Sequence, residues 1–160
     1  MSTSATSVSS PRRVLVIPHG GRPDLADITA RAIQKLQRAG ITVVMQSVDE
    51  QRYSGLGVEF SEPRDAAAGC ELALIFGGDG TILRSAYLAR GYGVPLLGVN
   101  LGHMGFLAES DPENLPAVIA AVVDRSYSVE RRLALDLLVF YPDGKQASGW
   151  ALNEVSIEKA

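Results

Sequence analysis

The sequence predicts a doubly wound parallel α/β sheet followed by the start of a β-rich second domain. Three observations carry this reading. Short unbroken apolar runs alternate with helical stripes. Glycine-bearing loops leave the ends of those runs. The pattern then changes after about Arg125 to β-branched and aromatic segments joined by a turn signal. Unbroken apolar runs mark strands buried on both faces, and their alternation with helices is the mark of parallel sheets wound in both directions.

The elements follow in order. Arg12 to Pro18 reads as a first strand through Val14, Leu15, Val16 and Ile17. After the loop His19-Gly20-Gly21-Arg22-Pro23, Asp24 is placed to cap a helix. Leu25, Ile28, Ala32, Ile33 and Leu36 form its apolar stripe, and Gly40 stands at the C′ position. Ile41 to Val48 is a second strand. Asp49 to Gly69 is polar, with room for a loop and a short helix. Glu71 to Phe76 is a third strand, Thr81 to Arg90 a helix, and Val94 to Val99 a further strand. A last helix runs to about Val123, with Pro112 or Pro116 in its first turn.

Tyr127 to Tyr141 and Gln146 to Lys159 read as strands around Pro142-Asp143-Gly144-Lys145. The expected organisation is a disordered lead-in at 1–10, an α/β nucleotide-binding domain at 11–125, and the beginning of an incomplete β-rich domain at 126–160. Two strands without a covering layer cannot stand alone, so these residues are expected to be inactive by themselves.

Composition narrows the partners. The 160 residues carry a net charge of −3, so no basic field points to nucleic acid or an anionic membrane. The Ser/Thr/Ala-rich start lacks the features of a secretory signal, and no apolar stretch is long enough to span a bilayer. Cys70 is the single cysteine, read as a small buried residue. No intrachain disulfide can form, which fits a reducing cytoplasm.

Three segments carry chemistry. In Ile75-Phe76-Gly77-Gly78-Asp79-Gly80-Thr81, glycines let the backbone turn and approach a ligand, and the following helix offers free N–H groups to a phosphate. Asp79 is the unusual member. It can take a proton from an attacking hydroxyl, hold a divalent metal, or merely cap the helix. Arg84, one turn on, can face the loop mouth or lie in solvent.

In Gly98-Val99-Asn100-Leu101-Gly102-His103-Met104-Gly105-Phe106-Leu107, Asn100 stands at a strand's end. His103 has no evident metal or triad partner and reads as an exposed loop histidine. In Trp150 to Glu158, a regular strand puts Asn153 on the apolar face and Glu154 on the other. The two serve one ligand only if the strand bends or ends there.

Together, Gly77-Gly78-Asp79-Gly80-Thr81, Asn100-x-Gly102-x-x-Gly105-Phe106-Leu107 and Leu152-Asn153-Glu154 resemble the hallmark motifs of NAD kinases, in the same order. The likeness covers roughly Arg12 to Ala160, the N-terminal portion of such an enzyme, and Gly149 to Lys159 is similar to actinobacterial members. The resemblance implies a Rossmann-like domain, a β-rich domain, and an active site in the cleft between them. It implies phosphoryl transfer from ATP or inorganic polyphosphate, with a divalent metal such as magnesium, to the 2′-hydroxyl of the adenosine ribose of NAD. It makes Asp79 the proton acceptor, and places Asp79, Gly80, Arg84, Asn153 and Glu154 against NAD. It also implies a cytoplasmic homo-oligomer. The competing readings are a lipid or sugar kinase that shares the Gly-Gly-Asp-Gly loop, or a non-catalytic nucleotide-binding module.

Overall fold

The computed structural model of the chain describes residues 11–21, 25–100, 114–152 and 154–156. They form two compact units, one ending at Tyr127 and the other starting at Ser128.

The first unit is built on five strands: β1 (Arg13–Ile17), β2 (Thr42–Gln46), β3 (Glu59–Ser61), β4 (Leu72–Phe76) and β5 (Leu96–Val99). All pairs are parallel and the order is β3-β2-β1-β4-β5. The chain therefore runs outward from β1 to β3, then returns to the far side of β1. The helices are α1 (Ala26–Arg38), the one-turn α2 (Glu50–Tyr53), α3 (Asp79–Ala89) and α4 (Leu115–Asp124).

Alternation along each strand feeds two cores. Val14, Val16, Val43, Met45, Leu74 and Phe76 meet Ala32, Ile33 and Leu36 of α1 and Ile119 and Val122 of α4 on one face. Leu15, Ile17, Val44, Ala73 and Ile75 meet Ile82 and Ala89 of α3 on the other. Double burial of every central strand explains the unbroken apolar runs.

Local chemistry sets the boundaries. In α1, Leu25 occupies the N-cap position without a side-chain bond, and the expected cap, Asp24, lies outside the described residues. Gly40 has φ 75°, the left-handed geometry that ends the helix cheaply only for glycine. Pro116, not Pro112, lies in the first turn of α4.

Three expectations are corrected. The polar 49–69 stretch contains a strand, β3, whose half-exposed Glu-Phe-Ser edge lacks an apolar run. Helix α3 starts at Asp79 rather than Thr81, which moves two members of the glycine segment into the first turn. The strand expected over Gln146 to Lys159 covers only Gln146–Leu152. The second unit pairs this strand, β7, with β6 (Ala134–Phe140) in an antiparallel hairpin. Gly144 at φ 84° and the Asp143 side chain, accepting from the Lys145 N–H at 3.0 Å, shape its turn.

Arg12 fastens α4 to the sheet. Its Nε donates to Glu71 at 2.9 Å, and its Nη1 and Nη2 donate to the carbonyls of Val123 and Val122 at 2.6 and 2.7 Å. Arg125 donates to the same carboxylate. Burial pushes Glu71 up, but the bonds from Arg12 and Arg125 outweigh it and hold the carboxyl below its ordinary 4.5. A lowered carboxyl pKa adds stability above the ordinary value and loses it as pH falls through the lowered one. Arg12→Ala should therefore cost about 1–2 kcal/mol at neutral pH, since it leaves the Glu71 carboxylate with Arg125 alone and takes the Arg12 donors from the Val122 and Val123 carbonyls. In urea melts the gap from the parent should shrink as pH falls below 4.5. A gap that does not change with pH would remove Glu71 from this account.

Candidate functional site

The order of strands reverses between β1 and β4, whose register pairs Val14 with Leu72 through to Ile17 with Ile75. The chain leaves β1 toward α1 on one face and leaves β4 toward α3 on the other. Ligands of open α/β sheets bind where the strand order reverses in this way. Here a cleft of about 530 Å³ opens, walled by Pro18 to Gly21 after β1 and by Gly78 to Thr81 after β4.

The three glycines of the second wall serve different ends. A Cβ on Gly77 would stand 2.6 Å from Thr81 Oγ1 and 2.8 Å from Thr81 Cβ, so the turn itself demands glycine. Gly78 and Gly80 have open space where a Cβ would go. Gly78 is extended, at φ −87° and ψ −170°, and Gly80 is helical, geometries open to other residues. Neither fold nor packing requires these two to be bare, which leaves close approach of a ligand as the physical reason. The carbonyl of Gly78 accepts from the N–H groups of Thr81 and Ile82 at 2.9 and 3.1 Å, closing the first turn of α3.

Asp79 does not serve as the helix cap. The N-cap is Gly78, with no side-chain cap bond, and Asp79 is the first helical residue. Its side chain is half-buried and lines the cleft. Arg84 is exposed and lines the same cleft, one turn and a little more along α3. Of the five residues singled out from sequence, the structure thus brings Asp79, Gly80 and Arg84 together. Asn153 lies outside the described residues. Glu154 is exposed, just past the end of β7, and its N–H donates to the carbonyl of Leu152 at 3.0 Å.

Asn100 is buried directly after β5, while Gly102, His103 and Gly105 lie outside the described residues. Cys70 is half-buried, and burial pushes its thiol up, which suits an inert side chain.

Gln46 and Asp49 line the cleft and escaped the sequence reading, whereas His19 stands in the loop that the sequence already placed after the first strand. The His19 Nδ1 accepts from the Gly21 N–H at 3.1 Å, which places the hydrogen of a neutral ring on Nε2. Gln46 ends β2 in the cleft wall, and its Nε2 is buried without a hydrogen-bond partner among the described residues, at a cost on the order of 1–3 kcal/mol. Asp49 follows in the 3₁₀ turn Ser47–Asp49, where burial pushes its carboxyl up and Arg52 offsets part of the effect. The signal that could have found Gln46 and Asp49 was present: β2 is another parallel strand, and its exit belongs to the same ligand-binding edge.

Residues 14–127 match the family described as the ATP-NAD kinase N-terminal domain. The chain belongs to the NAD kinase family. It is 45% identical over 159 residues to the NAD kinase of Thermobifida fusca, covering 92% of this chain and 48% of that protein. The NAD kinase of Rhodococcus erythropolis is 41% identical over 169 residues, covering 97% of this chain and 54% of the relative. The chain thus spans about half the length of the curated relatives it matches. The fold is shared with a crystal structure of yeast NADH kinase complexed with NADH, at a TM-score of 0.75 and 19% identity, over 89% of this chain and 47% of that one. The matched part of this chain ends at residue 127, where the first unit ends. No helix among the described residues is long and apolar enough to cross a membrane.

Proposed function

We propose that this chain supplies the nucleotide-binding part of an enzyme that moves a phosphoryl group from ATP, or from polyphosphate, to the 2′-hydroxyl of the adenosine ribose of NAD, giving NADP. The observation that carries the reading is the position of Asp79: a carboxylate in the first turn of α3, in the wall of a cleft beside two glycines that the fold does not need.

Each residue has a task in that reaction. The open faces of Gly78 and Gly80 and the start of α3 receive the phosphate chain, where backbone N–H groups and the helix dipole favour negative charge. Arg84 offsets charge as the phosphoryl group moves. Asp79 accepts the proton of the ribose hydroxyl. The hydroxyl oxygen bonds to the terminal phosphorus while the bond from that phosphorus to the bridging oxygen breaks, and the shortened phosphate leaves. Such a transfer depends on alignment and charge stabilisation more than on covalent help from the protein. The likeness to NAD kinases adds Asn153 and Glu154 as contacts to NAD.

The described residues hold no group of three metal-ligating side chains. Magnesium, which keeps several waters and would be held mostly by the substrate's phosphate oxygens, fits a site without a carboxylate cage. When bound it supplies neutralisation of phosphate charge. Cytoplasmic location and homo-oligomeric assembly complete the proposal; the single thiol agrees with the first.

The test is a turnover assay on the full-length protein with NAD and ATP, and with NAD and polyphosphate, read as NADP. NADP formation is expected with at least one donor, and none from residues 1–160 alone. Phosphorylated diacylglycerol in place of NADP would overturn the proposal.

A further inference from the structure

We infer that Gln46 is a nucleoside-recognition residue of the cleft, its side-chain amide donating to a ribose oxygen of a bound adenosine. The inference rests on the phosphotransfer reading above and extends it to a residue that none of the family motifs contains.

Gln46 is 9% exposed, yet its Nε2 has no hydrogen-bond partner among the described residues. It follows Val43, Val44 and Met45, all buried and apolar, at the last position of β2. A leucine or methionine there would fill the space without stranding a donor. Glutamine is thus the wrong residue for stability alone, and departures from local rules of this kind gather at functional sites. Gln46 is also part of the cleft wall, so the residue that holds this donor borders a space that a ligand can enter.

The neighbouring residues specify the ligand. Val48 and Asp49 line the same wall. Val48 is exposed, an apolar surface at the cleft mouth, and Asp49 is a carboxylate. Beside the amide, a carboxylate and an apolar side chain suit a phosphate chain less well than a nucleoside. A nucleoside suits all three: ribose oxygens accept from the amide, ribose hydroxyls donate to the carboxylate, and the base covers the valine. The opposite wall, with its bare glycines and helix start, suits phosphates. The cleft therefore has a phosphate wall from β4 and α3 and a nucleoside wall from β2.

Both ATP and NAD carry adenosine, and the experiment separates them. Full-length Gln46→Leu is titrated calorimetrically with ATP, with NAD and with inorganic tripolyphosphate, and its ligand-free melting temperature is measured. The ligand-free variant should melt at or above the parent. Affinity for ATP or for NAD should fall roughly tenfold, the loss of one hydrogen bond from a ligand. The weakened arm names the adenosine concerned, and tripolyphosphate should bind as before.

Unchanged affinity for both adenosine ligands would overturn the inference. An equal loss for tripolyphosphate would also overturn it, by making the amide a phosphate contact. If the leucine variant does not fold, Gln46→Met keeps the unbranched shape and serves the same comparison. Failure of the parent enzyme to make NADP would strike the phosphotransfer reading. Parent-like binding in the Gln46 variants would strike only the role given to this residue.

Discussion

Full-length Asp79→Asn should bind NAD nearly as the parent does and lose roughly a hundred- to ten-thousandfold in kcat, the range associated with removing a general base. The substitution keeps the shape and the position in the first turn of α3 and deletes only the proton-accepting charge. The fold should not suffer, because Gly78 and not Asp79 caps the helix. An acidic residue in the first turn does favour the helix dipole, and its neutralisation should cost about 0.3–1 kcal/mol. That is too little to unfold a domain with two well-filled cores. The decisive comparison is kcat against KM for NAD. A drop confined to kcat assigns Asp79 to the chemical step, and a rise confined to KM assigns it to binding. Parent-like turnover would remove the base role altogether.

Gly80→Ala should separate stability from function in the opposite sense. Gly80 is helical and has nothing within 4 Å of a Cβ position. Alanine is the better helix former by roughly 0.5–1 kcal/mol, so the ligand-free protein should melt slightly higher. The added methyl stands where the phosphate chain must come close, and displacement of reacting groups by about 1 Å can cost on the order of a hundredfold in rate. Gly77→Ala is the contrast. Its Cβ meets Thr81 at 2.6 Å, so it should lower the melting temperature, with overpacking costs of roughly 1–3 kcal/mol. Differential scanning calorimetry with NADP-forming assays on both variants checks the pair. A destabilised Gly80→Ala, or a stable and active Gly77→Ala, would contradict the division of labour among the glycines.

The strands that pass through the middle of the sheet were legible because double burial leaves an unambiguous trace: Val14 to Ile17 and Leu72 to Phe76 are apolar without a break. The α1 stripe was equally legible, and Ala32, Ile33 and Leu36 are buried as its spacing required. Edge strand β3 was not, since a strand exposed on one side and ending in Ser61 resembles a loop. In the site, Asp79 and Arg84 stood out because a charge among glycines, and another a turn later, conflict with simple packing. Gln46 and Asp49 did not. They follow an apolar strand in a polar stretch, where glutamine and aspartate are ordinary, and only the parallel order of strands shows that β2 opens onto the same edge as β1 and β4. Likewise the spacing of glycines did not tell which of them the backbone needs; that distinction depends on where Thr81 sits.

The adjacency of β1 and β4 has a thermodynamic consequence. Hydrogen-bonded strands lie about 4.8 Å apart, so the His19 loop and the glycine segment spring from anchors whose separation is set by the ladder itself. Those two walls cannot swing apart without breaking parallel pairing inside a filled core. A phosphate chain entering between them meets a slot already shaped, and binding forfeits little disorder in the protein at that edge.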